Sequence, residues 1–400
     1  MTGGTSSLSW SRCMRSSLKQ LVLQTVARVT KPFADQRRTC SRGDLSRILI
    51  IRPDHIGDIL FTTPALRALR SKVPHAHITY MVGPWAYAIV KENPHLDEIM
   101  VCPFPGFTRR PKKHILHPYM LLWNYSRSLQ AQSFDVALIL RFDHWWGAML
   151  AYWAGIPRRV GYALPQMNPF LTEAAPYVSG RHEVEQNICI VATAVDDDVR
   201  EVGPLEFSPT KEDLRSACTL LTSRSANQSF VCLHPGAGAP VKLWRHDAFA
   251  ELADTITQKH GVQIIITGSA GERDLAESIA QRMESNALVL AGQTSLGELG
   301  AVMGRCELVI GVDSGPLHLA VSQGVPTIHL FGPVDHRAFG PWGDPTKHLV
   351  VLSDMDCIPC NRLDYQPQEL EQHACVRSIT VDQVLEAADS LLTGDSQAGP

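Results

Sequence analysis

The stretch Leu308-Val-Ile-Gly-Val-Asp313-Ser314-Gly315-Pro316-Leu-His318-Leu-Ala320 has the pattern of a buried strand, a tight turn and the first turns of a helix. Its first five residues form the short apolar run that is typical of a central parallel strand. Ser314 is a favourable N-cap residue, and Pro316 fits the first helical turn, where its missing N–H costs nothing. The free N–H groups and the helix dipole at such a turn favour a phosphate. An ordinary strand–helix junction has the same pattern, so this stretch alone leaves both interpretations open.

The same alternation of strand and helix runs along most of the chain. An apolar strand at 47–52 leads into a glycine-containing loop around Gly57 and Asp58, and a helix begins near Thr63. A second series of strands and helices starts at about residue 229. This order predicts two α/β domains, each a doubly wound parallel sheet with helices on both faces. Ligands of such sheets bind outside the carboxyl ends of the strands, so two facing domains would form one deep cleft.

We therefore divide the chain into an N-terminal extension (1–46), a first Rossmann-like domain (47–209) and a second one (210–400). The extension has apolar residues at helical spacing between Leu18 and Val29. Residues 1–47 also carry nine Lys and Arg against two Asp. A basic amphipathic helix of this kind can lie on an anionic membrane surface, or it can pack on the body of the protein.

The composition excludes several classes of protein. With 44% hydrophobic residues, 19% charged residues and a net charge of −3, the 400-residue chain does not look like a nucleic-acid-binding protein. It has no apolar run long enough for a membrane helix and no pattern of a cleavable signal peptide. We expect a cytoplasmic monomer that is either free or peripheral on the cytoplasmic face of the inner membrane.

The loops that follow the strands of the second domain are rich in glycine. Several such turns, one lysine and one helix N-terminus are suited to a diphosphate. Glu272 is expected either to bind a ribose hydroxyl or to be stabilised in the first turn of its helix. The candidate donor-binding residues are Gly236, Gly238, Lys242, Gly268, Glu272, Asp313, Ser314, Gly315 and His318.

The first domain offers a different set of residues. Asp58 lies on its glycine-containing turn. Arg109, Arg110, Lys112 and Lys113 make a basic loop that is either a solvated loop or a clamp for an anionic substrate. We see no dense His, Cys and Asp cluster among the strand-end loops, so no metal is predicted there.

These motifs together resemble glycosyltransferase family 9, the ADP-heptose:lipopolysaccharide heptosyltransferases. The resemblance covers about residues 47–390. Its motifs are Ile48-Leu-Ile-Ile-Arg with Gly57-Asp58, Thr63-Pro-Ala-Leu-Arg67, Pro235-Gly-Ala-Gly with Lys242-Leu-Trp, Gly311-Val-Asp-Ser-Gly-Pro-Leu-His318 and Phe331-Gly-Pro333. It implies the GT-B fold, two Rossmann-like domains around a cleft, and an inverting transferase that needs no metal or other cofactor.

The resemblance also implies a role for each matched residue. Asp58 is the general base, Lys242 binds the donor diphosphate and Glu272 lies near the adenosine ribose. Asp313 holds the donor sugar. Ser314 and Gly315 offer N–H groups to phosphate, and His318 supports that turn or the leaving group. The donor is then an ADP-heptose, and the acceptor an anionic, lipid-linked glycan.

Two features depart from the family pattern or remain open. Asp54 and His55 stand where many relatives have Ser or Thr, and we expect them on the acceptor side. Cys357, Cys360 and Cys375 near the end of the chain are expected to bind a metal, to form a disulfide or to pack as free thiols. A non-catalytic sugar-nucleotide-binding or envelope-glycan assembly protein of the same fold is the alternative function, because a fold alone does not specify function.

Overall fold

The structure, a computed structural model, describes residues 20–28, 45–108, 116–199, 202–222 and 229–394. These residues form two six-stranded sheets in which every strand is parallel to its neighbours. The predicted fold class is therefore confirmed: the protein is an α/β protein with two Rossmann-like halves. The exact domain boundary at residue 209 stays a prediction.

Both sheets have the same strand order. The first sheet runs β3-β2-β1-β4-β5-β6, and the second runs β12-β11-β10-β7-β8-β9. The strands are β1 (Arg47–Arg52), β2 (His77–Val82), β3 (Glu98–Val101), β4 (Val136–Ile139), β5 (Arg158–Tyr162), β6 (Glu173–Ala175), β7 (Phe230–His234), β8 (Gln263–Ile266), β9 (Ala287–Val289), β10 (Leu308–Val312), β11 (Thr327–Phe331) and β12 (His348–Leu352).

Helices cover both faces of each sheet. In chain order they are α1 (20–28), α2 (Ile56–Leu60), α3 (Thr63–Lys72), α4 (Tyr87–Val90), α5 (His117–Gln132), α6 (Trp145–Trp153), α7 (Glu183–Val195), α8 (Lys211–Thr222), α9 (His246–His260), α10 (Arg273–Ala280), α11 (Leu296–Met303), α12 (Gly315–Ser322), α13 (His336–Phe339) and α14 (Val381–Gly394).

The central strands explain why the sequence forms these sheets. In β10 every residue is buried, and in β1 only Arg47 is partly exposed. Such continuous apolar runs need cover on both faces, which the flanking helices provide. The strand order reverses between β1 and β4 in the first sheet and between β7 and β10 in the second. These two reversal points are where ligands of doubly wound sheets bind.

The two halves meet where α2 contacts the start of α12. A Cβ atom added to Gly315 would lie 2.9 Å from Cβ of Ile56 and 3.1 Å from the backbone N of Gly57. A Cβ atom added to Gly57 would lie 3.0 Å from Cδ2 of His318. Both positions therefore need glycine for the close approach of the two helices.

Most of the predicted strands and helices are confirmed, including β10 and α12 of the opening stretch. The glycine-containing loop predicted around Asp58 was wrong, because residues 56–60 form the short helix α2. Its Ile59 and Leu60 side chains are fully buried, which stabilises a helical turn there. The short strands β6 and β12 were not predicted.

The predicted N-terminal helix lies partly outside the described residues, which include 20–28 of the extension. Leu23 and Ala27 are buried against the body, and the Tyr152 hydroxyl donates to the Ala27 carbonyl at 2.8 Å. Leu21 and Val22 are exposed. The described part of this helix thus packs on the protein through Leu23, Ala27 and the partly buried Val26, while Leu21 and Val22 face outward. Among the described helices, none is long and apolar enough to cross a membrane.

Candidate active site

A cleft of about 1610 Å³ is lined by loops that follow strands of both sheets. We call its two sides the N-terminal wall, from the first sheet, and the C-terminal wall, from the second. All nine predicted donor-binding residues line the C-terminal wall, and Asp58 and His55 line the N-terminal wall. The structure thus brings these distant parts of the sequence to one site.

The phosphate-friendly turn of the C-terminal wall has an internal ion pair. Lys242 Nζ lies 2.7 Å from Asp313 Oδ2, and both side chains are largely buried. Ser314 precedes α12 in extended conformation, but its side chain makes no capping bond. Its buried Oγ has no hydrogen-bond partner among the described residues. A buried hydroxyl without a partner is costly, so a ligand oxygen that bonds it would be favoured.

Glu272 has a structural bond and also faces the cleft. Its Oε2 accepts from Ser269 N and Ser269 Oγ, each at 2.7 Å, and forms a capping box. A Cβ atom added to Gly236 would lie 2.2 Å from Glu272 Oε1, so this glycine makes room for the carboxylate. The first-turn stabilisation expected for Glu272 is therefore present, and contact with a ribose stays a prediction.

Two buried histidines beside these loops are neutral. Burial lowers the pKa of His318 to about 3, and His182 and Lys242 act in the same direction. Burial lowers the pKa of His234 to about 4, and its Nδ1 lies 3.0 Å from the Thr267 hydroxyl. His318 packs edge-on against Phe61 of the first half, with ring centroids 4.6 Å apart. His318 therefore supports the contact between the halves without adding a charge to the cleft.

Asp58 lies in α2 on the N-terminal wall, with a side chain that is 32% exposed. Burial in the cleft and the neighbouring carboxylate of Asp54 raise the pKa of Asp58 to about 7, while Arg52 acts against this rise. A carboxyl group with a pKa near neutrality can accept a proton efficiently at physiological pH. These properties suit Asp58 to accept a proton, and its role as general base stays a prediction.

Arg52 is the centre of a buried network beneath Asp58. Its Nε lies 2.6 Å from Asp54 Oδ2, and its Nη2 lies 2.9 Å from Glu183 Oε2 and 3.7 Å from Asp58 Oδ1. Its Nη1 donates to the Leu140 carbonyl at 2.8 Å and to Asn187 Oδ1 at 2.9 Å. Although burial opposes its charge, the carboxylates hold the pKa of Arg52 above its ordinary value. One guanidinium thus joins three carboxylates at the reversal point of the first sheet.

The predicted acceptor residues differ in their placement. His55 lines the cleft beside Trp85, with ring centroids 5.4 Å apart. Asp54 is buried and forms ion pairs with Arg52 and Arg141 instead of lining the cleft. Although burial opposes its ionisation, both cations hold the pKa of Asp54 below its ordinary value. The basic loop of Arg109, Arg110, Lys112 and Lys113 lies outside the described residues.

The sequence analysis assigned no role to several residues of the N-terminal wall. Arg141 Cζ lies 5.0 Å from the centroid of the Phe107 ring and 5.6 Å from that of Phe142. Phe142 stacks on Tyr177 with centroids 4.6 Å apart. The signal that could have found Arg52 and Arg141 is an arginine at the carboxyl end of an apolar strand: Arg52 ends β1, and Arg141 follows β4 closely. The residues missed are Arg52, Phe107, Arg141, Phe142, Tyr177 and Glu183, all of which line the cleft.

The cysteines near the end of the chain are free thiols. Cys375 is buried in an apolar cluster with Ala239 and Val241, two residues that lie just before Lys242 in the sequence. Cys357 and Cys360 are exposed. Within the part of the chain that the structure describes, no group of three or more His, Cys, Asp or Glu is arranged to hold a metal ion. Cys375 therefore packs as a buried thiol, and a metal or a disulfide at these three cysteines stays a prediction.

Comparison with known proteins identifies relatives over most of the chain. The family model of glycosyltransferase family 9 (heptosyltransferase) matches residues 122–368. Lipopolysaccharide heptosyltransferase 3 of Escherichia coli K12 is 28% identical over 295 residues, which cover 72% of this chain and 82% of that protein. The crystal structure of a family 9 glycosyltransferase from Veillonella parvula has a TM-score of 0.75 and 26% identity, and the match covers 90% of this chain and 99% of that one.

A second solved structure shares the fold. It is E. coli ADP-heptose lps heptosyltransferase II, with a TM-score of 0.69 and 23% identity over 87% of this chain and 99% of that one. The region matched by the family model includes β4 to β12 and the whole C-terminal wall.

Proposed function

Because the chain belongs to glycosyltransferase family 9, we propose that it transfers a heptose or related sugar from an ADP-sugar to a lipopolysaccharide-core or similar glycan. Family membership makes the chain a glycosyltransferase, which sets aside the non-catalytic alternative. The reaction proposed is a single displacement that inverts the anomeric centre and uses no metal.

One observation supports this reaction most directly. Asp58, whose pKa is raised to about 7, shares one cleft with the Lys242–Asp313 pair and the first turn of α12. A base on one wall and an anion-binding turn on the other are the two parts that displacement at a sugar phosphate requires.

In the proposed step, the oxygen of an acceptor hydroxyl attacks the anomeric carbon of the donor. The bond from that carbon to the diphosphate oxygen breaks on the opposite face, so that ADP leaves and the configuration inverts. The hydroxyl proton passes to Asp58. A positioned base of this kind contributes about 10²–10⁴-fold to the rate.

The C-terminal wall is suited to hold the departing ADP. Lys242 contributes a cation, and the start of α12 offers the Gly315 N–H, the Ser314 hydroxyl and the positive end of the helix dipole. Together these groups stabilise the negative charge that develops on the leaving diphosphate. Asp313 remains next to Lys242, where it is placed to accept from a sugar hydroxyl.

The N-terminal wall is suited to an anionic glycan. Arg141 is partly exposed beside Phe107 and Phe142, so its guanidinium can bind a carboxylate or phosphate while the rings cover the apolar faces of a sugar. We propose that Asp54 acts through Arg52 and Arg141, and that His55 contacts the acceptor directly. Arg109, Arg110, Lys112 and Lys113 remain proposed contacts for an acceptor presented at the cytoplasmic face of the inner membrane.

A donor panel tests this proposal. Purified protein is incubated with ADP-heptose and with UDP- and GDP-sugars, with a lipopolysaccharide-core acceptor, and product is measured by mass spectrometry with and without EDTA. We expect that, of the donors in the panel, only the ADP-sugar supports transfer and that EDTA does not lower the rate. NMR of the product should show that the anomeric configuration is inverted relative to the donor.

Two results would contradict the proposal. Loss of transfer in EDTA that is restored by a divalent cation would overturn metal independence. Retention of the anomeric configuration would exclude a single displacement with Asp58 as the base. The variant Asp58→Asn is the matched negative control, because it keeps the shape of the side chain and removes its basicity.

A further inference from the structure

The first half of α5 carries an exposed stripe of large apolar side chains. Tyr119, Met120 and Trp123 are 55%, 61% and 56% exposed, respectively. Their spacing of three and four residues places them on one side of the helix. The opposite side is buried through Leu122 and Leu129. We call Tyr119, Met120 and Trp123 the α5 stripe. It differs from isolated exposed residues because three large side chains are adjacent.

The Lys, Arg, Asp and Glu residues within α5 and the described part of α1 are all cations. Neither α5 nor the described part of α1 contains Asp or Glu, although the chain has 40 acidic residues. Arg127 lies one turn beyond the stripe, with its Cζ 5.7 Å from the centroid of the Trp123 ring. Arg28 ends the described part of α1. This surface therefore combines aromatic and apolar side chains with cations and lacks acidic side chains of its own.

Helix α1 adds apolar surface to the same layer. It packs on α6 through the Tyr152–Ala27 hydrogen bond, and α5 packs on α6 as well. Leu21 and Val22 of α1 are 60% and 51% exposed. Both surface helices of this layer thus bury one side and leave large apolar side chains exposed on another.

The α5 stripe is linked by direct contacts to the acceptor side of the cleft. The Trp146 indole N–H donates to the Pro118 carbonyl in the first turn of α5, at 3.3 Å. The Trp146 ring contacts Phe104, which contacts His144, and the His144 ring lies 5.7 Å from that of Phe107. Phe107 lies under Arg141 in the cleft wall. A chain of packed aromatic side chains therefore joins the start of α5 to the wall that is proposed to face the acceptor.

We propose that the α5 stripe is a docking surface for an anionic phospholipid bilayer, with Trp123 and Tyr119 at the headgroup level. Tyr and Trp favour this interfacial position, and nearby Lys and Arg bind anionic headgroups. A second copy of this chain is a poorer fit, because two such surfaces would bring like charges together. The inference rests on the proposed function in one respect: a lipid-linked acceptor explains why the surface belongs to the half that is proposed to bind the acceptor.

Vesicle flotation with the purified full-length protein tests the α5 stripe. The vesicles contain phosphatidylcholine, either alone or with an equal part of phosphatidylglycerol. The test variant is Tyr119→Gln/Met120→Gln/Trp123→Gln, which keeps good helix formers on α5. The control is Tyr87→Gln/Leu214→Gln, which removes exposed apolar side chains from α4 and α8. Circular dichroism and thermal melting confirm that both variants fold.

We expect the wild-type protein to bind the anionic vesicles and the test variant to bind at least about tenfold more weakly. The control variant should stay within about twofold of wild type, and binding to pure phosphatidylcholine should be much weaker. Equal binding of the wild-type protein and the test variant would overturn the proposal. So would a dimer in analytical ultracentrifugation that the test variant dissociates, because a second copy would then occupy the surface.

The outcomes separate this inference from the proposed function, because vesicle binding is measured without donor or acceptor. Active protein whose vesicle binding does not depend on the α5 stripe would refute the inference alone. If the protein bound vesicles through the α5 stripe but transferred no heptose, only the proposed function would be refuted. With an acceptor in detergent, the test variant should keep wild-type turnover, while with the same acceptor in vesicles its apparent KM should rise.

Discussion

The two sheets share one strand order but place different chemistry at their reversal points. Between β1 and β4, the first sheet presents Arg52 and Arg141, which hold several carboxylates. Between β7 and β10, the second sheet presents neutral His234 and the compact pair formed by Asp313 and Lys242. The shared topology thus determines where a ligand binds, and the side chains at the ends of the strands determine the chemistry of each site.

The difference follows from what each wall has to do. A base must hold a proton with an affinity matched to neutral pH, and burial together with the like charge of Asp54 raises the pKa of Asp58 to about 7, against the effect of Arg52. A diphosphate needs N–H groups and a cation, which glycine-rich turns and one lysine provide. Neutral histidines then pack the turn without charge. Five substitutions or conditions test this division, beginning with the largest expected effect.

Replacing Asp58 by Asn should lower the transfer rate by about 10²–10⁴-fold, because the acceptor proton loses its base. The Kd for ADP, measured by calorimetry, should stay within about twofold, since the C-terminal wall is untouched. Asp143→Asn is the matched control: this carboxylate binds Arg141 but does not line the cleft. If Asp58→Asn had the turnover of the wild-type protein, Asp58 would not be the general base.

Replacing Arg52 by Met should lower the free energy of unfolding by about 3–5 kcal/mol, because Asp54 and Glu183 would keep buried charges without their partner. Urea denaturation at neutral pH measures this change. The control is Arg273→Met on the exposed face of α10, where Arg273 pairs with Glu277 and the expected loss is below about 1 kcal/mol. Equal losses in the two variants would show that the network does not hold the first reversal point together.

Replacing Lys242 by Ala should raise the Kd for ADP by about 10–100-fold, because a charge-assisted contact is lost and Asp313 then faces the diphosphate without its partner. The double variant Lys242→Ala/Asp313→Asn should recover part of this loss. Lys259→Ala, which breaks an ion pair with Asp389 on the outer surface, serves as the control. An unchanged Kd in Lys242→Ala would show that the lysine does not bind the donor.

The transfer rate should rise with pH through the pKa of Asp58 at about 7, since only the ionised carboxylate accepts a proton. A rate about tenfold lower at pH 6 than at pH 8 is expected from a single titrating base. Asp54→Asn should shift the midpoint to lower pH, because a neighbouring negative charge is removed. A flat profile over this range would contradict the raised pKa.

The same titration affects stability with a defined sign. The folded protein holds the Asp58 proton more tightly than the unfolded chain, whose carboxyl titrates near the ordinary value of 3.8. Stability is therefore lost as pH rises from about 4 to about 7. Asp58→Asn should melt at a higher temperature than wild type at pH 8, and this difference should shrink toward pH 4. If the two proteins differed in melting temperature by the same amount at pH 8 and at pH 4, the folded state would not disfavour the ionised form of Asp58.

The C-terminal wall was largely predictable from the sequence because its signals are local. Each signal lies within a short stretch of sequence in which residue types alone predict a strand, a helix start or a turn. Examples are strand β10, the N-cap position at Ser314 and the glycines near Lys242. All nine residues predicted there line the cleft. The sequence did not predict which of these residues contact one another. The Lys242–Asp313 ion pair, for example, joins positions 71 residues apart, and only the structure shows it.

The N-terminal wall was less predictable because its chemistry is assembled from distant positions. Arg52 and Glu183 are 131 residues apart, and no local pattern predicts that they meet. Asp54 looked like a cleft residue because it precedes Asp58 closely, but the Arg52 and Arg141 side chains bury it. Likewise, Leu21 and Val22 have the spacing of a packed face, yet the body of the protein binds Leu23 and Ala27 instead.

The Lys242–Asp313 ion pair has a consequence for selectivity among anions. A carboxylate tethered 2.7 Å from the ammonium group competes with any incoming ligand at a high effective concentration. A free phosphate ion has to displace or share this internal counter-ion with few other contacts to compensate. A nucleoside diphosphate brings additional contacts along the glycine-rich turns. With the donor-binding role proposed for Lys242, this ion pair therefore favours a nucleoside diphosphate over a free phosphate ion.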